Sequence, residues 1–201
     1  ELSEDGTLVG KVRLDLRGVA AAGYKDRLLG VEGPQRKMIF QTLLSNFFLG
    51  FQLEEMELPG LDAAGTPLSV EATFRTPSYA RVRGGRLEVP SPAPTSKLRR
   101  NFCQERERTV PLRIPSWEVS RTEAVIRIPA GWRVGKLPED VLLQGDIGRL
   151  AITWRIDGDA VRVRHEVEIR PQVLATEKYT ELVRFCQEGD AAEEARMELV
   201  K

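Results

Sequence analysis

His165 is the one histidine in a chain of 201 residues, and it limits the chemistry that the sequence can support. A Ser-His-Asp or Cys-His nucleophilic arrangement needs an imidazole as its base, and a histidine-containing metal site needs one as a ligand. Cys103 and Cys186 are the two cysteines. They are too few for a disulfide framework or a structural zinc site; they could pair in an oxidising compartment or stand as two unrelated thiols. Paired carboxylates are the remaining catalytic option. Glu54, Glu55 and Glu57 cluster, as do Asp157 and Asp159, and glycoside hydrolysis needs two suitably spaced carboxyls. Acidic residues on wet strand faces and in turns are ordinary, so neither group identifies a glycosidase. Trp117, Trp132 and Trp154 could stack on sugar rings, but Trp often seals the end of a core. Lys97, Arg99 and Arg100 could hold a phosphate, yet Glu105 and Glu107 soon balance them. No Gly-x-Ser-x-Gly elbow, P-loop or dinucleotide-binding loop occurs. The expectation is therefore no catalytic residue, no metal and no cofactor.

The overall charge points the same way. Thirty basic and thirty acidic residues cancel, whereas a nucleic-acid or anionic-membrane binder normally carries a basic excess. No apolar run approaches the ~20 residues of a membrane span. The chain opens on Glu1 with no signal-like start, so a fragment of a longer protein is expected, with its targeting unreadable.

His165 lies in the stretch that organises the chain, 149–170. Leu150, Ile152, Trp154 and Ile156 alternate with Arg149, Thr153, Arg155 and Asp157. After Asp157-Gly158-Asp159, Val161, Val163, Val167 and Ile169 alternate with charged residues. Period-two alternation predicts an antiparallel hairpin with one dry and one wet face, closed by the Asp-Gly turn. His165 has dry-face parity, which predicts a buried ring with one hydrogen-bond partner.

Before this hairpin, a strand is expected from Leu8 to Leu16 and a short helix over 19–29. The next helix, 34–49, starts at Pro34 and is capped by Gly50. Its apolar residues cover about half the circumference, wider than one sheet-facing stripe needs. Part of that face, drawn from Ile39, Phe40, Phe47 and Phe48, is the candidate docking surface. Strands follow over 52–58, irregular because apolar parity changes between Leu53 and Met56, and over 68–74. Segments 78–82 and 86–89 flank Gly84-Gly85 as a second hairpin.

The proline-rich segment 90–96 predicts an extended, mobile loop. Strands are expected over 108–114 and 121–128, with an edge strand over 140–144. Pro171 ends the central hairpin, and a helix over 176–187 turns Tyr179, Leu182, Val183 and Cys186 inward. Asp190 and Glu193 resemble a capping box opening a last short helix, before a closing strand over 197–200. With no repeat and no dividing linker, 1–201 reads as a single β-rich domain. The fold expected is mainly β (α+β): an antiparallel, β-sandwich-like domain with an amphipathic helix packed near the N-terminus and C-terminal helices.

Several phrases carry a family resemblance. They are Asp5-Gly6-Thr7-Leu8-Val9-Gly10 with Gly18 and Arg27, then Pro77-Ser78-Tyr79 and Arg108-Thr109-Val110-Pro111-Leu112. Ile128-Pro129-Ala130-Gly131-Trp132-Arg133-Val134 leads to Leu137-Pro138, and Tyr179, Leu182 and Phe185 close the set. The chain resembles the C-terminal region of bacterial transglutaminase-like proteins, which also carry an N-terminal β-rich domain of unknown function. The resemblance implies that the Cys-His-Asp triad belongs to a preceding core, so no catalytic residue carries over to this chain. It implies a non-catalytic accessory domain whose partner is the transglutaminase-like core of the same chain, in a periplasmic or extracellular protein. The alternative expectation is a β-sandwich module that binds a glycan or cell-wall polymer.

Overall fold

The computed structural model describes every residue except Asn46, Phe47, Leu49 and Ala64. The described residues form thirteen strands, four α-helices and a 3-10 turn. All of their strand pairings are antiparallel. The fold is mainly β with helices, of the α+β kind. The chain divides into two compact units, Glu1–Arg81 and Val82–Lys201.

In the first unit, β1 (Leu8–Leu16) leads into α1 (Gly18–Leu29) and α2 (Gly33–Ser45), followed by β2 (Gln52–Glu57) and β3 (Leu68–Thr76). The sheet order is β1-β3-β2, and Leu14 and Leu16 stand opposite Val70 and Leu68. Alternation buries Leu68, Val70, Ala72 and Phe74. The parity change between Leu53 and Met56 has a structural cause. The pairing of β2 with β3 shifts between Leu53 and Glu55, and this bulge returns Met56 to the face of Leu53.

Helix α2 starts beside Pro34 as its sequence demands, and it buries Phe40 and Leu44. Part of the expected run 34–49 lies outside the described residues. Gln41 ties the helix to the sheet: its Oε1 accepts the Leu53 N–H at 2.7 Å and its Nε2 donates to the Phe51 carbonyl at 2.5 Å. From α1, Lys25 is 9% exposed. Its Nζ donates to Ala63 O at 2.6 Å, Thr66 O at 2.9 Å and Thr66 Oγ1 at 3.0 Å, fastening the loop between β2 and β3.

The second unit takes up β4 (Arg81–Arg83), which opens at the boundary, and β5 (Arg86–Pro90). Then follow α3 (Leu98–Phe102), β6 (Leu112–Ile114), β7 (Glu118–Arg127), β8 (Arg133–Lys136) and β9 (Val141–Gln144). The central strands β10 (Gly148–Asp157) and β11 (Ala160–Ile169) precede β12 (Gln172–Leu174), α4 (Tyr179–Glu193) and β13 (Arg196–Val200). The sheets run β7-β11-β10-β9, β12-β6 and β4-β5-β13-β8. The central hairpin forms in the expected register, from Gly148 opposite Ile169 to Asp157 opposite Ala160. Gly158 takes the positive φ, 61°, that the tight turn requires. Leu150, Ile152, Trp154, Val161, Val163, Val167 and Ile169 are buried.

Several sequence expectations change here. Ile156 shares the dry-face parity but is 58% exposed; it sits at the hairpin tip, where the burial of β10 ends after Trp154. The strand expected over 108–114 is confined to Leu112–Ile114. Asp190 and Glu193 do not open a new helix: α4 runs unbroken to Glu193. The segment 90–96 is held in place, with Pro92 and Ala93 buried. Strands β8 and β12 and helix α3 are additions, each too short to show a period of its own in the sequence.

Candidate functional site

The buried polar residues of the second unit gather where the 91–97 loop and α3 meet α4. The inward parity of β11 carries His165 into the core between Val163 and Val167, where it is 2% exposed. The last turn of α4 supplies Glu193, 5% exposed. Its Oε1 lies 2.8 Å from His165 Nε2. Ser96 also engages it, through its Oγ to Oε1 at 2.6 Å and its N–H to Oε2 at 2.7 Å. Three hydrogen bonds thus converge on one buried carboxyl group, as buried polar atoms require.

One turn earlier on the same face of α4, Asp190 performs a related task. Its carboxylate accepts the N–H groups of Leu98 at 2.7 Å and Arg99 at 3.1 Å. These are the first amides of α3, whose own N-cap residue, Lys97, offers no side-chain cap. Lys97 takes φ 50°, a left-handed kink that turns the chain from the loop into the helix. Gly189 completes the joint. A Cβ there would come within 2.8 Å of Leu98 Cδ1 and 3.1 Å of Leu150 Cδ1, so glycine lets α3 and β10 both press on α4.

Ser96, His165 and Glu193 have the residue types of a hydrolytic triad but a different geometry. In a triad the hydroxyl meets one imidazole nitrogen and the carboxylate holds the other. Here Ser96 and His165 both bind the carboxylate. His165 Nδ1 is buried and meets no partner among the described residues. The hydroxyl donates to the carboxylate rather than to the imidazole, and the cluster links the loop, β11 and α4.

Helix α3 lies antiparallel to α4. Leu98 meets Asp190 at one end, and at the other Tyr179 Oη donates to the Glu105 carbonyl at 2.6 Å. Between these ties, Cys103 closes α3, its N–H reaching Arg99 O at 2.8 Å, and its thiol stands beside that of Cys186. Both are free thiols, Cys103 half-buried and Cys186 buried. A hydrogen bond from Cys186 holds the Cys103 thiol below its ordinary range, with help from the Arg99 charge. The same contact, followed by burial, pushes the Cys186 thiol up.

The other candidates disperse. Glu55, Glu57 and Glu71 line an open groove of about 510 Å³ with Lys11 and Arg13, and Arg13 already pairs with Glu71 at 2.8 Å. Asp157 pairs with Arg162 at 3.0 Å. Trp117 is 59% exposed, whereas Trp154 is buried. Among the described residues, no group of three or more His, Cys, Asp and Glu side chains could hold a metal ion, and no helix is long and apolar enough to cross a membrane.

The wet face of the central hairpin is laced by ion pairs. Glu166 lies between Arg121, at 2.5 Å, and Arg149, and Asp140 takes Arg155 at 2.7 Å. The arginine hydrogen bonds hold both carboxyls below the usual carboxylate range.

Of the expected docking residues, Ile39 and Phe48 are half-buried, and Phe47 lies outside the described residues. Phe48 stacks on Phe51 and Phe74, with ring centroids 6.0 and 5.9 Å apart. Phe40 is fully buried and stacks on Tyr24 at 6.1 Å. It is core and contributes no surface, because the inward stripe of α2 already includes it. Met38, next to Ile39, is 65% exposed, and Val19 and Leu29 on α1 are exposed as well.

A mainly β, antiparallel unit with one long helix therefore surrounds the buried cluster. Residues 89–199 match the family model DUF3858, described as a domain of unknown function with a solved structure. The match covers more than half of the chain, and the chain belongs to this family. Comparison with curated proteins found no match, and comparison with solved structures found none.

Proposed function

We propose that the chain is a non-catalytic accessory domain of an exported, transglutaminase-like bacterial protein, docking against the catalytic core of that protein. The observation that carries the reading is the buried His165–Glu193–Ser96 cluster. The one imidazole, the hydroxyl beside it and their carboxylate hold a loop to a helix, with the His165 and Glu193 side chains 1% and 3% exposed. Groups so enclosed reach no substrate. The resemblance to the C-terminal region of transglutaminase-like proteins supports the partner. The exposed apolar residues Val19, Leu29 and Met38, with half-buried Ile39, support a contact through α1 and α2, since burying exposed apolar side chains against a partner is favourable.

The test is an assay of the purified chain against peptide, ester, glycoside and acyl-transfer substrates. No turnover is expected. Turnover that disappears on replacing a single side chain would overturn the reading.

A further inference from the structure

The packing of α3 on α4 brings together two thiols that are distant in sequence, and the joint around them is firmly built. Asp190 holds the first amides of α3, Leu98 fills the space left by Gly189, and Tyr179 anchors the chain just past the helix. Between the Leu98–Asp190 tie at one end and the Tyr179–Glu105 tie at the other, Cys103 at the close of α3 falls against the middle of α4, where Cys186 lies. We propose that Cys103 and Cys186 are a thiol–disulfide exchange pair, which closes under a small-molecule disulfide oxidant into a bond stapling α3 to α4. This inference is independent of the accessory-domain reading, because it needs only these two side chains.

Exposure and environment assign the roles. Cys103 is half-buried and Cys186 is buried, so an incoming disulfide meets Cys103 first. Its thiolate attacks one sulfur of the oxidant, forming a mixed disulfide and releasing one small thiolate. The Cys186 sulfur then attacks Cys103 Sγ and expels the second small thiolate. The two protein thiols lose two electrons, the oxidant's disulfide gains them, and the two thiol protons leave on the released small thiols.

The thiol environments suit this order. The hydrogen bond from Cys186 and the charge of Arg99 favour the Cys103 thiolate, the nucleophilic form. The contact with Cys103 is the largest cause holding the Cys186 proton on. The bond would close a long loop of chain and restrict the unfolded state accordingly.

The experiment equilibrates the folded 201-residue chain with reduced and oxidised glutathione. The readouts are intact mass and maleimide labelling of both thiols. Wild type is expected to lose the mass of two hydrogens, to resist labelling at both positions and to melt roughly 5 °C higher than its reduced form. Cys186→Ser should stop at a glutathione adduct on Cys103, and Cys103→Ser should leave Cys186 unmodified. If the wild type retains two labelled thiols, or accumulates a glutathione adduct instead of closing, the proposal fails. That outcome is read on the wild type alone, whether or not the serine variants fold.

Discussion

Glu193 Oε1 lies 2.8 Å from His165 Nε2, and this contact joins the end of α4 to the middle of β11, two segments that alternate patterning alone would leave unconnected. The same carboxylate takes both the hydroxyl and the amide of Ser96, so one side chain positions a strand, a helix and a loop.

Replacing Glu193 with Ala should destabilise the second unit by about 3 kcal/mol, because His165 and Ser96 would keep their burial and lose their acceptor. Glu193→Gln, which retains an acceptor oxygen, should cost less. Urea unfolding followed by circular dichroism would rank the two.

Asp190→Ala removes a helix cap supplied from another element. The expected loss is about 1 kcal/mol, concentrated at α3. Hydrogen exchange should quicken at the Leu98 and Arg99 amides while the central hairpin keeps its protection. Equal loosening of both would count against the capping role.

Acid should weaken the wet face of the hairpin in a defined direction. Glu166 and Asp140 hold their protons less readily in the folded chain than in the unfolded one, owing to Arg121 and Arg149 for the former and Arg155 for the latter. Their contribution is therefore complete above the ordinary carboxylate range of about 4 and is lost as pH falls through the lower folded values. Melting temperatures measured from pH 6 down to pH 3 should fall, and Glu166→Gln should flatten part of that fall.

Lys25→Met should free the loop between β2 and β3. Ala63 and Thr66 are exposed residues, where water can replace the lost donor, so the expected cost is only about 1 kcal/mol. The clearer sign should be faster proteolytic cleavage within 60–67.

The sequence made the long elements legible because each repeats a period over many residues. The hairpin of Leu150, Ile152 and Trp154 against Val161, Val163 and Val167 forms in the register its alternation implies, and even the bulge near Glu54 shows as a parity slip. Burial of His165 follows from the same alternation. The identity of its partner does not, since nothing local links position 165 to 193. Asp190 and Glu193 carry a helix-start signature, but both serve distant amides from the end of α4. The proline-rich segment looks free because its restraints, Glu193 and Asp190, lie almost a hundred positions away. On α2, the apolar arc does not separate Phe40, which enters the core, from Met38, which stays exposed.

The proposed docking is tested most directly by hydrogen–deuterium exchange over α2, Gly33–Ser45, in the isolated chain and in the proposed transglutaminase-like parent. The account predicts slower exchange of α2 in the parent, and Met38→Asp should abolish that added protection without changing the melting temperature of the isolated chain. Identical exchange of α2 in the two contexts would contradict it.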